Sequence, residues 1–225
     1  MIASLLFISI LPKHGALLLV GGGATTTEMV EAFSSVCGGK TGEIVILPQA
    51  HMNPEDGKSS FTLLQKSGFT NLFLVKNSAF LDSEKVALED RLSHAAGIWV
   101  PGGDQSLFLK RLGLAWCQRV FPKLIERGVN WFGTSAGAMV VGNPMLIGNK
   151  VTEGIGLIDA VVDTHYFVRH REMRLRNAFF GCRVQYGFGL DEGEWVVIRD
   201  NLIEKKVGTP QVFLRESGLN AGMSL

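Results

Sequence analysis

The sequence predicts an α/β fold, a three-layer sandwich whose mostly parallel, doubly wound sheet is covered by helices on both faces. Three observations carry that prediction. Short apolar runs, too continuous for strands with one wet face, recur along the chain. Segments with helical apolar spacing alternate with them. Glycine-rich turns close several strands where a helix is about to begin.

Ala16 to Val20 is the first such run, closed by Gly21-Gly22-Gly23, and Thr26 to Val36 follows with helical spacing through Met29, Val30, Phe33 and Val36. Ile44 to Leu47 reads as a buried strand, Phe61 to Lys66 as a helix, Leu72 to Val75 as a strand and Val86 to His94 as a helix. Ile98-Trp99-Val100 leads into Pro101-Gly102-Gly103, and a helix over Gln118 to Arg127 feeds a strand at Trp131-Phe132. Beyond Asp163 the pattern changes: Trp195 to Ile198 and Leu202 to Val207, joined at Asp200-Asn201, form a hairpin, so the sheet ends antiparallel. No linker, repeat or low-complexity tract interrupts the 225 residues, which read as a single catalytic domain, 1–225.

Composition narrows the partners. A hydrophobic fraction of 46% with 19% charged residues describes a globule with a sizeable core, and a net charge of +1 gives no electrostatic reason to expect nucleic acid or an anionic membrane. A small-molecule or peptide substrate is the better expectation, and a homodimer is compatible with it. Cys37, Cys117 and Cys182 are too few and too scattered for a disulfide framework or a metal knuckle, which fits a reducing, cytoplasmic compartment. Met1 to Leu11 is apolar but too short to span a bilayer and has no basic flank before it; it reads as an edge strand or extension of the fold rather than the remnant of a signal peptide, with export left open.

The chemistry starts at Gly133-Thr134-Ser135-Ala136-Gly137, a G-x-S-x-G pentapeptide between an apolar run and an alanine-rich segment. Such an elbow turns a strand sharply into a helix and lifts the serine Oγ out of the sheet. It also aims the Ala136 N–H at a developing oxyanion. The loop Gly102-Gly103-Asp104-Gln105 follows another strand on the same rim of the sheet, so the Gly103 N–H is a second oxyanion donor; the plainer reading is a strand-to-helix turn with Asp104 as N-cap. Gly21-Gly22-Gly23 lacks dinucleotide spacing and no Walker lysine follows it, although both glycine turns can line one pocket.

Among five histidines, His165 is the best base, since it follows the apolar run Ile158 to Val162 and so sits at a strand end. Asp163, Asp191 and Glu192 are the acids in reach to orient it; Glu192 arrives from a separate strand end and has one more methylene than aspartate. Arg169, Arg171 and Arg174 follow directly, able to grip a substrate carboxylate or, more plainly, to join an ion-pair network with Glu172. No His/Cys/carboxylate cluster has metal-ligand spacing, so the expected mechanism needs neither metal nor cofactor.

In this order the residues resemble the cyanophycinases and related aspartyl dipeptidases, serine peptidases on a class I glutamine amidotransferase-like fold. The resemblance rests on the opening triple glycine, Gly102 to Gln105, the Ser135 elbow, Asp163-x-His165 with Arg169-x-Arg171-x-x-Arg174, and Gly189-Leu190-Asp191-Glu192. It implies Ser135 as nucleophile, His165 as base, Glu192 as orienting acid and an acyl-enzyme route on α- or β-aspartyl peptide bonds. It also implies that Gln105, Asp163, Thr164, Arg169, Arg171 and Arg174 surround the substrate, with Thr164 standing where the family usually has glutamine. Ser135 argues against glutamine amidotransfer, which uses cysteine in the elbow. The order serine, histidine, acid argues against an α/β-hydrolase esterase. The alternatives are a silent binding protein on the same fold, or an esterase or amidase of other specificity.

Overall fold

The computed structural model describes residues 14–215; the apolar run expected as an edge strand lies outside them. In chain order the elements are β1 (Leu17–Val20), α1 (Thr27–Val36), β2 (Ile44–Ile46), α2 (Lys58–Lys66), β3 (Leu72–Leu74), α3 (Asp82–His94), β4 (Gly97–Val100), α4 (Gln105–Leu112), α5 (Leu114–Glu126) and β5 (Asn130–Thr134). A single turn α6 (Ala136–Met139), the hairpin β6 (Met145–Ile147) and β7 (Lys150–Thr152), and β8 (Ala160–Thr164) follow. Then come α7 (Glu172–Gly181), β9 (Tyr186–Leu190), β10 (Trp195–Arg199), β11 (Leu202–Val207) and β12 (Gln211–Leu214).

Seven strands form the main sheet in the order β11-β10-β1-β5-β4-β2-β3. The five from β1 to β3 in that order are parallel, while β10 and β11 add the antiparallel edge that the sequence predicts. Asp200 and Asn201 join the last pair with φ of 52° and 59°, the left-handed backbone that a two-residue hairpin turn requires. Strand alternation sorts the core into two layers. Trp99 and Phe132 are opposite one another on β4 and β5 and stack at 3.5 Å, with Phe33 of α1 edge-on to both. Trp131, one residue earlier, points to the other face, where α4 and α5 bring Phe108 and Phe121 against it. Neighbouring residues on one strand thus anchor opposite helical layers.

A second sheet, β12-β9-β8, is covered by α7. Its strands β8 and β9 are parallel and in step, Thr164 opposite Leu190, so the residues just past their ends leave the sheet at the same level.

Several helices begin earlier than their apolar spacing suggests. The first turn of α3 is Asp82-Ser83-Glu84, and Glu84 accepts the Leu81 N–H at 2.8 Å. A capped first turn in solvent carries no apolar signal. The uncapped first turn of α2, Lys58-Ser59-Ser60, is likewise polar, and α5 extends back to Leu114 from the expected Gln118.

Candidate active site

β5 delivers the elbow. Ser135 has φ 51° and ψ −114°, a conformation sparsely populated outside glycine. Its N–H is held by the last carbonyl of β1, Val20, at 3.0 Å. The flanking glycines are required by contact: a Cβ on Gly133 would lie 2.1 Å from Gly137 O, and one on Gly137 would lie 2.2 Å from Val100 O. Strand and helix therefore approach more closely than any side chain allows.

His165 leaves β8 in a left-handed conformation, φ 50°, and its imidazole Nε2 lies 2.9 Å from Ser135 Oγ. Nδ1 lies 2.7 Å from Glu192 Oε1, just past the end of β9. The imidazole is largely buried, whereas the Glu192 side chain is 46% exposed. Asp191, the other acid of that turn, instead accepts the Val168 N–H at 3.2 Å.

The opening glycine turn is the seat of all three. Three consecutive carbonyls, Val20, Gly21 and Gly22, accept the N–H groups of Ser135 (3.0 Å), His165 (2.8 Å) and Gly193 (3.1 Å). A Cβ on Gly22 would stand 2.3 Å from His165 Cε1, and Gly22 has φ 122°. Gly22→Ala is therefore expected to push the imidazole off Ser135, lowering kcat by about 10²-fold, the usual cost of an ångström of misplacement. Steady-state kinetics on circular-dichroism-matched protein checks it, and unchanged kcat would mean that the ring accommodates the methyl.

The Pro101 to Asp104 loop adjoins the elbow, with Gly102 placed so that a Cβ there would be 3.3 Å from Ser135 Cβ. Asp104 is an N-cap, accepting from Ser106 and Leu107 N–H at 2.8 and 3.3 Å, and the Ser106 hydroxyl first, then these backbone bonds, hold its carboxyl below the ordinary aspartate range against the opposing effect of burial. Gly103 is exposed with φ 132°, and Ala136 opens α6, where a first-turn N–H has no intrahelical acceptor. Gln105 donates its amide to Leu146 O at 2.8 Å, tying α4 to the β6–β7 hairpin.

The acidic and basic residues around His165 depart from expectation. Asp163 and Thr164, expected against substrate, are fully buried. Asp163 accepts from Arg171 Nη1 (3.2 Å) and from Arg174 Nε (2.6 Å) and Nη2. The partner of the arginines is thus Asp163 rather than Glu172, because a buried carboxylate needs opposite charge more than an exposed one does. Arg171 also donates to Thr164 O at 2.7 Å and Arg174 to Gly148 O at 3.0 Å. Two guanidiniums against one carboxylate leave a positive charge, and burial first, then Arg174 and Arg169, against the opposing pull of Asp163, hold Arg171 below the ordinary arginine value. Arg169 is exposed, its backbone N–H bonded to His165 O at 3.1 Å.

Burial pushes the Cys37 and Cys117 thiols up to about 12, so neither is a thiolate nucleophile near neutral pH. Among the described residues there is no group of three His, Cys, Asp or Glu that could hold a metal ion, and no helix long and apolar enough to cross a membrane.

Two solved structures are similar in fold. A peptidase from an acI-B1 actinobacterium superimposes with a TM-score of 0.64 at 20% identity, covering 91% of this chain and 98% of that one. A protein described as a peptidase E from Listeria monocytogenes EGD-e gives 0.62 at 16% identity, covering 87% of this chain and 100% of its own. In sequence, the cyanophycinase of Geminocystis herdmanii is 27% identical over 212 residues, 85% of this chain and 77% of that protein. The cyanophycinase of Synechococcus elongatus is 28% identical over 199 residues, and the match spans only 61% of its length. The sequence pattern of peptidase family S51 matches residues 17–206, which is most of the chain and includes Ser135, His165 and Glu192; the protein belongs to peptidase family S51.

Proposed function

We propose that the protein is a serine peptidase that cleaves aspartyl peptide bonds through a Ser135–His165–Glu192 triad. The observation that carries this reading is the relay itself. Ser135 Oγ is 2.9 Å from Nε2, and Nδ1 is 2.7 Å from the Glu192 carboxylate, on a backbone that holds both serine and histidine at positive φ. With Nδ1–H donated to Glu192, Nε2 presents its lone pair to the serine hydroxyl. The proton moves to Nε2 as Oγ bonds to the scissile carbonyl carbon, and the Gly103 and Ala136 N–H groups receive the oxyanion. Collapse expels the amine, which takes the proton from His165. Water then repeats the sequence on the acyl-enzyme, releasing the acid and restoring Ser135.

The excess positive charge of Arg171 and Arg174 over Asp163, with exposed Arg169 beside it, supports an acidic group on the substrate next to the scissile bond. The cyanophycinase relatives add cyanophycin to the substrates worth testing. A screen of α- and β-aspartyl dipeptides and cyanophycin, with Ser135→Ala as control, is expected to reveal Ser135-dependent cleavage confined to aspartyl linkages. Equal cleavage of neutral dipeptides would contradict the acidic specificity.

Glu192→Gln keeps the shape and removes the charge. Because the Glu192 side chain is half in water, its field on the imidazolium is weaker than that of a buried triad acid. The expected loss is about 10²–10³ in kcat with little change in KM, below the roughly 10⁴ of a buried acid made an amide. A change confined to KM would remove Glu192 from the triad.

A further inference from the structure

Four consecutive backbone carbonyls in the loop after β2 are captured by one helix. Ala50 O accepts the Asp104 N–H at the start of α4, at 2.9 Å. Two turns later Arg111 reaches back to the others: Nη1 donates to Gln49 O (2.9 Å) and His51 O, and Nη2 to Met52 O (2.7 Å). Residues seven apart share a helix face, so α4 grips the loop at both its ends. Gly103, next to Asp104, lies against the Ala50 end. It has φ 132°, and a Cβ on it would stand 2.3 Å from Ala50 O, so its peptide rests on that carbonyl.

We infer that Arg111 is a positioning residue for the oxyanion site: by fixing residues 49–52 it fixes the surface on which Gly103 sits, and with it the direction of the Gly103 N–H. The inference rests on the serine reading above. An oxyanion donor works only if it is aimed before the charge develops, and Gly103, free of a side chain, has no anchor of its own beyond the backbone it touches. Arginine suits the task because its planar fork presents several donors in fixed directions, whereas the ammonium of lysine offers its donors from one point. The base of the loop is held independently, since buried Gln49 donates Nε2 to Val75 O and Asn77 O at 3.1 and 3.2 Å. Removing Arg111 therefore loosens the Ala50 to Met52 end while the sheet connection stays.

The test uses the full chain with Arg111→Met and Arg111→Lys. The rate at which a fluorophosphonate phosphonylates Ser135 depends on the oxyanion donors, because the phosphoryl oxygen takes the oxyanion's position. It is expected to fall about 10- to 100-fold in Arg111→Met and less in Arg111→Lys. The downfield proton resonance of His165 Nδ1–H should stay unchanged, since its partner Glu192 and the Gly22 turn beside the ring belong to neither α4 nor the loop. If Arg111→Met does not fold, Arg111→Lys carries the comparison. A lowered melting temperature with an unchanged labelling rate overturns the inference, as does loss of the His165 resonance alongside the rate. Absence of labelling in the unmodified protein overturns the serine reading itself, and this inference with it.

Discussion

Ser135→Ala is expected to lower kcat by about 10⁴ or more with KM and fold unchanged, because the members of the proposed triad act as a unit. Steady-state kinetics on whichever aspartyl substrate the screen identifies measures it; residual activity within tenfold would remove Ser135 from the mechanism. The backbone makes a second consequence testable. Ser135 is held at φ 51°, ψ −114°, which only glycine adopts without strain. Relief of about 1–3 kcal/mol of such strain exceeds the roughly 1 kcal/mol that glycine costs in chain entropy. Ser135→Gly should therefore be as inactive as the alanine variant yet melt at a higher temperature. An unchanged or lower melting temperature would mean that the elbow stores no strain.

Asp163→Asn is expected to act on stability before it acts on substrate. The carboxylate is fully buried against Arg171 and Arg174, whose side chains are 17% and 13% exposed. Neutralising it leaves two mostly buried guanidiniums with no counter-charge, a loss of about 3–5 kcal/mol for a broken buried pair. At about 2–4 °C per kcal/mol for a chain of this size, the melting temperature should fall on the order of 10 °C. The arginines, no longer fixed, would then lose their hold on Thr164 O and Gly148 O, and KM for acidic substrates should rise as a secondary effect. Urea or thermal unfolding separates the two. An unchanged melting temperature with a raised KM would return Asp163 to the role of a substrate contact.

Much of the fold is legible in the sequence because it rests on local pattern. Apolar runs closed by glycines mark the parallel strands, and Asp200-Asn201 marks the hairpin. What escapes is a polar first turn, a helix that follows a glycine loop without a break, or a short hairpin between longer elements. The first turns of α2 and α3 are polar, α4 follows directly on a glycine loop, and the β6–β7 strands are three residues each. At the site, Asp163 is the instructive case. On an ideal strand, residues two apart share a face, which makes Asp163 a neighbour of His165. β8 ends at Thr164, however, and the left-handed backbone at His165 re-aims the imidazole, so the two side chains part company. The seating of the Ser135, His165 and Glu192 turns on Val20, Gly21 and Gly22, and the Arg111 grip on residues 49–52, are long-range backbone contacts. Residue identity alone does not encode which carbonyl a distant N–H will find.

The most direct test of the account is to treat the protein with a fluorophosphonate and locate the adduct by tandem mass spectrometry. If Ser135 is activated by His165, one adduct per chain should appear, on Ser135. Substitution of His165 by alanine should abolish it while Asp191→Asn leaves it in place, because Asp191 holds Val168 rather than the imidazole. An unlabelled native protein, or an adduct on any residue other than Ser135, would contradict the account.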